Sequence, residues 1–513
     1  MQKIKKIAKN VLCWLFAAMM SFIVVAVFVE PKSVNWVKSL GTYSVWAKII
    51  IAVSAILLLL ARIWLFGKTK NLKVKTRIPS WIKRGVVVMI ALLVCFMIAY
   101  ILTPDPHNTF DSSLIYDWVQ KASRGEAMGN AAYFNRYPHN LGIVMFYLSF
   151  VKLGTYAGLS NPQIIMTAVT AISVALTVLI VAYMAGKFVK RGSALRVFVL
   201  SLICPIALYA AEMYTDSISA LFVALELFVM LRIKEKCEKD NRALLFAILA
   251  MIAGIGAIIK ITAIIPIVAA CIVALMKKKR TKLNMAQLGK KAGVLALCLG
   301  CFLTIFLGYK TIEKNVLPDS KNEALPYSHW VMMGMGGDGI FSAEDLEASL
   351  EHAPETTKYN IETIKDRLNE MGIFGYVELL TRKVSVTWGD GTYELSRVVG
   401  TMPRKPQSIA VRVIGVYGDY FKYYRFITTV LQLSWLFGLL GMAILTLKKN
   451  DSRLLMAKTS LIGIFAFLLI WETNSRYLVN FLPIIIILQE YSLYVIWKKI
   501  KEKRKVTRKQ SAT

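Results

Sequence analysis

Cysteine, histidine and acidic residues are scarce in this sequence of 513 residues. It contains seven Cys and four His, and its 31 Asp and Glu stand against 63 Lys and Arg. All the Cys lie inside apolar runs except Cys237, which lies in a basic block. No external disulfide and no zinc site of Cys and His is therefore expected. The N-terminal apolar run also lacks a small-residue cleavage site, so 11–29 is predicted to be a retained first membrane span.

Apolar residues dominate instead, at 56% of the chain and a mean hydropathy of +0.54. This composition excludes an ordinary soluble domain. Runs such as Ile49–Phe66 and Gly85–Leu102 reach the length of about 18 residues that a membrane helix needs. The prediction is an all-α polytopic membrane protein.

The formal charge of +32 does not indicate nucleic-acid binding, because the basic residues cluster in short blocks between apolar runs. This is the positive-inside pattern, and it marks the cytoplasmic face, with a secondary contribution from anionic membrane lipid. The blocks are Lys3–Lys9, Lys68–Arg84, Lys187–Arg196, Arg232–Arg242, Lys277–Lys291, Lys448–Lys458 and Lys498–Lys509.

Placing every basic block inside predicts about twelve spans, with both termini cytoplasmic in a bacterial plasma membrane. The spans are expected near 11–29, 46–66, 85–103, 163–186, 195–211, 212–231, 243–258, 262–276, 291–311, 426–447, 455–472 and 478–497. Leu141–Tyr156 is left without a full crossing and is interpreted as a re-entrant or interfacial helix, with an ordinary short span as the alternative.

Two polar segments lie outside in this topology. The external loop 103–142 is polar, aromatic and interrupted by proline. The segment 312–425 is predicted to be a small, mainly helical extracytoplasmic insertion, with a capping-box start at Ser342 and a helix Thr357–Met371 that ends at Gly372. The predicted division is 1–311 (membrane core), 312–425, 426–497 (C-terminal membrane helices) and 498–513 (basic tail).

The leading acidic residue is Asp111, in the first external loop. It is either the N-cap of a helix, between the staple residues Phe110 and Ile115, or a catalytic carboxylate, and the two roles are compatible. Asp117 faces elsewhere on that helix and is expected either to be solvated or to pair with Lys121 at i+4.

Further polar residues gather at the same face. Glu212 and Asp216 have i, i+4 spacing at a span start, which suits either a helix N-terminus or a divalent cation such as Mg²⁺ or Mn²⁺. Lys260 and Arg476 either reach the interface or hold an anionic head group. His329-Trp330 and 388–391 are interpreted as turn and interfacial-belt residues.

Several of these residues lie in segments that resemble the GT-C glycosyltransferases. An early Asp in the first long external loop is followed by Tyr137-Pro138-His139-Asn140, and three other segments carry related patterns. The resemblance is closest to the bacterial branch akin to protein mannosyltransferases and aminoarabinose transferases. It covers the membrane part to Thr311 and the last three spans. The three segments are MYTDS at Met213–Ser217, IIKIT at Ile258–Thr262 and SRYLVNFLP at Ser475–Pro483.

The resemblance implies inverting transfer of a sugar from a polyprenyl-phosphate donor to a glycan, glycolipid or protein acceptor at the outer face. Asp111 would be the base, and Lys260 and Arg476 would hold the donor phosphate. The substrate-binding residues implied are Asp117, Tyr137, His139, Asn140, Lys260, Arg476 and Tyr477. Asp111 is followed by Ser112-Ser113 and not by a second acid, which leaves a metal requirement open.

Two other functions remain as alternatives. A flippase or transporter of lipid-linked glycans is expected to carry broken helices or a two-half repeat near the midplane, whereas the polar residues here gather outside. A surface-polysaccharide polymerase or ligase would share the membrane and the donor, and nothing in the sequence excludes it.

Overall fold

The computed structural model describes residues 2–32, 40–72, 79–107, 110–127, 130–235, 242–276, 285–448 and 451–510. Within these ranges all regular structure is helical, apart from one isolated bridge between Pro104 and Pro403. The prediction of an all-α chain is confirmed. Cys237 lies outside the described residues.

The first twelve α-helices are α1 (Gln2–Ala26), α2 (Val45–Thr69), α3 (Ser80–Leu102), α4 (Asp111–Ser123), α5 (Ala131–Arg136), α6 (Leu141–Tyr156), α7 (Pro162–Phe188), α8 (Ser193–Ile203), α9 (Pro205–Leu208), α10 (Thr215–Glu235), α11 (Arg242–Ile259) and α12 (Ile265–Leu275). The others are α13 (Met285–Val316), α14 (Ser320–Glu323), α15 (Tyr327–Gly334), α16 (Ala343–Glu351), α17 (Thr356–Gly389), α18 (Leu395–Thr401), α19 (Ile409–Ile414), α20 (Phe421–Leu445), α21 (Ser452–Ile470) and α22 (Leu482–Gln510). Short 3-10 turns cover Leu40–Thr42, Pro138–Asn140, Tyr209–Ala211, Ile261–Ile264 and Ser475–Phe481.

Nine helices in the described ranges are long and apolar enough to cross a membrane, or ten if the bent pair Ser193–Ile203 and Pro205–Ala211 is one span. The remaining regions where crossings were expected, 212–231 and 262–276, are also helical. Helix α10 carries the buried acids Asp216 and Glu226, and the apolar stretch Ile261–Leu275 is shorter than the usual span of about 18 residues. Helix α6 packs against α4, α7 and α11, and its re-entrant character stays a prediction.

Two helix breaks come from residues that cannot continue a helix. Cys204 adopts an extended conformation and Pro205 begins α9, so the α8–α9 pair bends by 50°. Proline lacks the backbone N–H that a continuous helix would need at that point. Lys260 is likewise extended between α11 and a 3-10 turn, with Pro266 opening α12. Both breaks free the chain to turn and place polar side chains at a helix end.

The segment 312–425 is helical, as expected, and it is built into the membrane part. The Ser342 hydroxyl accepts a hydrogen bond from the Asp345 N–H at 3.1 Å, which confirms the capping start of α16. Gly372 adopts a left-handed φ of 56°, and this breaks α17 where the predicted helix ends. Trp388, at the other end of α17, is 2% exposed in one core with residues of α1, α7 and α20. Gly391 lies in a turn, as predicted for 388–391, whereas the interfacial-belt part of that interpretation is wrong for Trp388, which packs inward.

His329 is also buried and lies within α15, so its interpretation as a turn residue is wrong too. The Ser349 hydroxyl donates to Asn360 Oδ1 at 3.0 Å and lies 2.8 Å from His329 Nδ1. A hydroxyl has one proton to donate, so the imidazole Nδ1–H must be the donor to Ser349. The other ring nitrogen, Nε2, is buried and has no hydrogen-bond partner. A proton on Nε2 would therefore be left unsatisfied, and burial lowers the pKa of His329 to about 4.

This buried imidazole predicts an acid-sensitive fold. An unfolded His has a pKa of about 6.5, so between that value and about pH 4 the unfolded chain binds a proton that the folded chain does not. Stability should be lost as the pH falls through this window. His329→Gln retains an amide donor for Ser349 and removes the titration. We expect the thermal midpoint of the purified wild type to fall more between pH 7.5 and 4.5 than that of the variant. Equal falls in the two proteins would contradict the assignment.

Candidate functional site

The polar residues singled out in the sequence lie at one end of the helical bundle. Asp111 begins α4, just after α3 ends; Asp216 lies in the first turn of α10; and Lys260 follows the last residue of α11. Arg476 lies in the 3-10 turn that leads into α22. The opposite ends of α10, α11 and α22 carry basic residues, so the polar cluster and this basic surface are separated by the length of these helices.

Asp111 is the accessible carboxylate of this cluster, with 39% of its side chain exposed. Its Oδ2 accepts a hydrogen bond from the Tyr214 hydroxyl at 3.1 Å. Tyr133 lies beside it, and burial together with the Asp111 charge raises the pKa of Tyr133. The N-cap of α4 is Phe110, without a side-chain cap bond, so the prediction that Asp111 is the N-cap is wrong by one position. Asp111 points to its tyrosine neighbours instead of closing its own helix.

Arg476 is the principal cation next to Asp111. Its Nη2 is 4.0 Å from Asp111 Oδ2 and its Nε is 3.7 Å from Glu394 Oε2, both longer than a hydrogen bond. The guanidinium lies 5.4 Å from the ring of Tyr214 and 5.7 Å from that of Tyr477. Its buried Nε has no hydrogen-bond partner. Because a guanidinium carries five N–H donors in a planar fork, this arrangement favours an anionic ligand.

Lys260 forms a second charged pair in the cluster. Its Nζ contacts Asp216 Oδ1 and lies 4.9 Å from the ring of Tyr477. Asp216 is 1% exposed, so the pair is shielded from water on its acidic side. The Tyr477 hydroxyl donates to Glu472 Oε1 at 3.1 Å. Tyr477 therefore bridges the lysine and a further carboxylate.

Two acids at the edge of the cluster are protonated more readily than usual. Burial raises the pKa of Glu212 to about 8 and that of Glu472 to about 7. One oxygen of Glu212, Oε2, is buried without a hydrogen-bond partner. Helix α10 begins at Thr215, so Glu212 precedes it, and the prediction that it shares a helix face with Asp216 is wrong. At neutral pH Glu212 is mostly protonated and adds little negative charge around Arg476, whereas Glu472 is partly ionised.

The sequence did not point to Glu394 or Arg397, which complete the cluster. They pair with each other, and the Arg397 guanidinium lies 4.6 Å from the ring of Phe110, next to Asp111. Asp390 fixes the turn that presents them: it accepts from the Glu394 N–H at 2.7 Å and from the Ser475 hydroxyl at 2.7 Å. Glu394 has a left-handed φ of 64°. This turn joins the insertion to the start of the Arg476 segment.

The Tyr-Pro-His-Asn segment lies against the same cluster. Asn140 donates to the Tyr133 hydroxyl at 2.7 Å, which links it to the surroundings of Asp111. Tyr137 and His139 pack edge-on to Trp330, with ring centres 6.3 and 5.6 Å away.

The close packing of α6 on α11 holds this segment beside Lys260. A side chain on Gly142 would place its Cβ 2.0 Å from the carbonyl oxygen of Ile258, so only glycine permits the approach. Since Ile258 lies two residues before Lys260, the contact fixes the start of α6 at the cluster.

Asp117 lies apart from the cluster. Its Oδ1 is 3.5 Å from His107 Nδ1, and both side chains are partly exposed. Of the two alternatives expected for Asp117, the pair with Lys121 is not among the ion pairs of the described residues, and the side chain is 30% exposed beside His107.

A metal role for Glu212 and Asp216 stays a prediction. In the described ranges no three His, Cys, Asp or Glu side chains are grouped as metal ligands. Asp216 already contacts Lys260, and Glu212 offers one unpaired oxygen close to Arg476. The two cations, Lys260 and Arg476, lie beside the one unpaired oxygen of Glu212 and would repel a divalent ion there. The proposed reaction therefore assigns no step to a metal.

Comparison with known proteins identifies a membrane family. The model of a family described as conserved hypothetical integral membrane protein matches residues 1–495. No curated protein matches the chain.

Two solved structures are similar to it. One is the archaeal oligosaccharyltransferase AglB from Archaeoglobus fulgidus, in complex with an inhibitory peptide and a dolichol-phosphate; it has a TM-score of 0.43, 15% identity and 84% coverage of this chain. This chain spans 52% of that protein. The other is ArnT from Cupriavidus metallidurans bound to undecaprenyl phosphate, with a TM-score of 0.37, 13% identity, and coverage of 81% of this chain and 78% of ArnT. At these TM-scores and identities, the likeness assigns neither an activity nor a substrate to this chain.

Proposed function

We propose that this chain, which belongs to the family of conserved hypothetical integral membrane proteins, transfers a sugar from a polyprenyl-phosphate donor to a hydroxyl group of a cell-envelope acceptor. The acceptor is a polymer, glycolipid or protein at the outer face of the membrane, and the anomeric centre is inverted. The proposal adopts the GT-C assignment that the sequence motifs imply.

The observation that carries the proposal is the juxtaposition of Asp111 and Arg476. An accessible carboxylate, 39% exposed, lies 4.0 Å from a guanidinium that is 20% exposed and has unused donor capacity. Sugar transfer from a phosphate ester needs a base for the incoming hydroxyl and a cation for the departing phosphate. These two groups supply both at one place.

Every bond and proton of the proposed reaction can be accounted for with these residues. The acceptor oxygen attacks the anomeric carbon, a new glycosidic bond forms, and the bond from that carbon to the phosphate oxygen breaks. The electron pair leaves with the phosphate, and Asp111 takes the acceptor proton. Arg476 and Lys260 compensate the charge on the departing phosphate. The donor phosphate replaces Asp111 as the neighbour of Arg476, which leaves the carboxylate to the acceptor.

The positions of basic residues at the helix ends support the proposed outer-face location. Helices α10 and α11 carry cluster residues at one end and the basic residues Arg232 and Arg242 at the other. Because basic blocks mark the cytoplasmic side, the cluster is proposed to face outward. Donor and acceptor would then meet outside the cell.

The raised pKa values of Glu212 and Glu472 predict the pH dependence of donor use. Each acid ionises as the pH rises through about 8 and about 7, respectively, and this adds negative charge beside Arg476. We expect the KM for the donor to rise between pH 6.5 and 8.5. Glu212→Gln should flatten the upper part of that rise. A donor KM that rises equally in the variant would contradict the role of Glu212.

Transfer by the purified protein is the direct test. The full chain in lipid nanodiscs is given a panel of polyprenyl-phosphate donors with labelled sugars, together with membrane acceptor extract. Label in an acceptor of discrete size supports the transferase. Movement of an intact lipid-linked glycan across vesicles without transfer would replace the proposal by the flippase. Products that lengthen by whole repeat units would replace it by the polymerase.

A further inference from the structure

A second cavity lies at the end of the bundle opposite the Asp111–Arg476 cluster. It has a volume of about 910 Å³ and is lined by residues of α7, α10, α11, α12, α21 and α22. Lys234 and Arg242, at the end of α10 and the start of α11, both line it. Helix α10 has 21 residues and so spans about 30 Å, with Asp216 at its other end. This cavity is therefore separate from the site described above.

The walls of the cavity are apolar. They include Leu227, Leu231, Val273, Leu454 and Leu488, which are all buried. The volume is at the upper end of the range of about 300–1,000 Å³ that small-molecule pockets have, so it is far larger than an ion requires. Such walls suit a hydrocarbon chain.

The mouth of the cavity is basic. Among the described lining residues it presents three cations, Lys234, Arg242 and Arg453, against one carboxylate, Asp451. Asp451 accepts from the Arg453 N–H at 2.8 Å, which caps α21, and its Oδ2 is 3.4 Å from the Arg453 guanidinium. The Arg453 guanidinium also lies 5.2 Å from the ring of Phe188. Arg453 thus offsets Asp451, and the described lining holds two further cations, Lys234 and Arg242.

We propose that this cavity binds an anionic glycerophospholipid of the adjacent leaflet, with an acyl chain among the leucines and the headgroup phosphate at Lys234, Arg242 and Arg453. A basic mouth over an apolar chamber is complementary to an amphiphile with a negative head. The leaflet at this end faces the basic blocks, where anionic lipid accumulates. The inference does not depend on sugar transfer.

Native mass spectrometry of the purified full chain with phosphatidylglycerol tests the proposal. The wild type should bind one tightly held phosphatidylglycerol and should bind phosphatidylcholine at least about tenfold more weakly. The double variant Lys234→Gln/Arg242→Gln should weaken phosphatidylglycerol binding by about 30-fold, as expected for two surface charges of about fivefold each. The matched control Lys503→Gln/Arg504→Gln removes two exposed cations from the tail and should change the affinity less than about twofold.

A variant that fills the cavity tests the contribution of the apolar walls to lipid binding separately from that of the cations. Ala270 lines the cavity, and Ala270→Phe should abolish the tight phosphatidylglycerol while leaving all three cations in place. Unchanged binding in both the charge and the filling variants would overturn the proposal, as would equal binding of phosphatidylcholine. Competition by glycerol 1-phosphate as strong as that by the lipid would also overturn the proposal, because the acyl chain would then contribute nothing to binding. If undecaprenyl phosphate displaces phosphatidylglycerol at a tenth of its concentration, the carrier lipid is the occupant and the proposal is wrong.

Discussion

Asp111→Asn should lower the rate of sugar transfer by about 100- to 10,000-fold at saturating donor and acceptor, which is the usual contribution of a general base. The substitution is nearly isosteric, and the Asn oxygen still accepts from the Tyr214 hydroxyl, so the fold should be retained. The loss should appear in kcat more than in the donor KM, because the proton is transferred in the transition state. Single-turnover transfer of labelled sugar measures it.

Asp117→Asn is the matched control for this variant. Asp117 lies on the same helix, α4, undergoes the same chemical change, and contacts His107 away from the cluster. Its transfer rate should stay within about twofold of the wild type. If both variants transfer like the wild type, Asp111 is not the base, and the nearest remaining carboxylates are Glu394 and Glu472. If both variants lose activity equally, the loss comes from a disturbed helix α4 and not from removal of the Asp111 carboxylate.

Arg476→Gln should lower kcat by about 100- to 1,000-fold and raise the donor KM, since the guanidinium is proposed to hold the phosphate both before and during its departure. Arg476→Lys should recover part of kcat, because the charge is restored while the planar fork is lost. Added guanidinium ion should restore part of the activity of Arg476→Ala, which would show that the missing group itself acts at the site.

Stability must be measured beside these rates. Removing Arg476 leaves Asp111 without its nearest cation and leaves Glu394 with Arg397 alone, so the thermal midpoint should fall as well. Arg412→Gln is the control, because Arg412 is an exposed arginine that pairs with Asp419 away from the site. A variant at position 476 that keeps its midpoint and its kcat would refute the role of the guanidinium.

The membrane helices were predictable because hydrocarbon imposes a simple rule on the sequence. A stretch of about 18 apolar residues is visible without knowing any tertiary contact. Lys260 and Arg476 were found for the same reason, since a cation inside an apolar run stands out. The MYTDS segment also drew attention to Asp216, although its Tyr214, which holds Asp111, was not singled out.

The site residues that were not predicted carry no comparable signal in the sequence. Glu394 and Arg397 lie in the polar segment 312–425, where a charged side chain is ordinary. The left-handed turn at Glu394 depends on the nearby Asp390, whose carboxylate also accepts a hydrogen bond from Ser475 of a distant segment. The pair of Asp117 with Lys121 was only one of two alternatives; it came from helix spacing, which takes no account of His107, a residue outside α4. Trp388 was assigned to the membrane surface because aromatic residues in polar segments often lie there, whereas tertiary packing buries it.

The positions of Asp111 and Arg476 along the chain bear on how the protein is synthesised. They are 365 residues apart, and Arg476 lies in the turn before α22, so it is synthesised long after Asp111. At about 5–20 residues per second, the ribosome needs roughly 20–70 s to extend the chain from one to the other. During that time the nascent protein already holds its carboxylate but lacks the arginine proposed to receive the phosphate. An incomplete translation product would therefore be inserted in the membrane and yet unable to consume lipid-linked sugar.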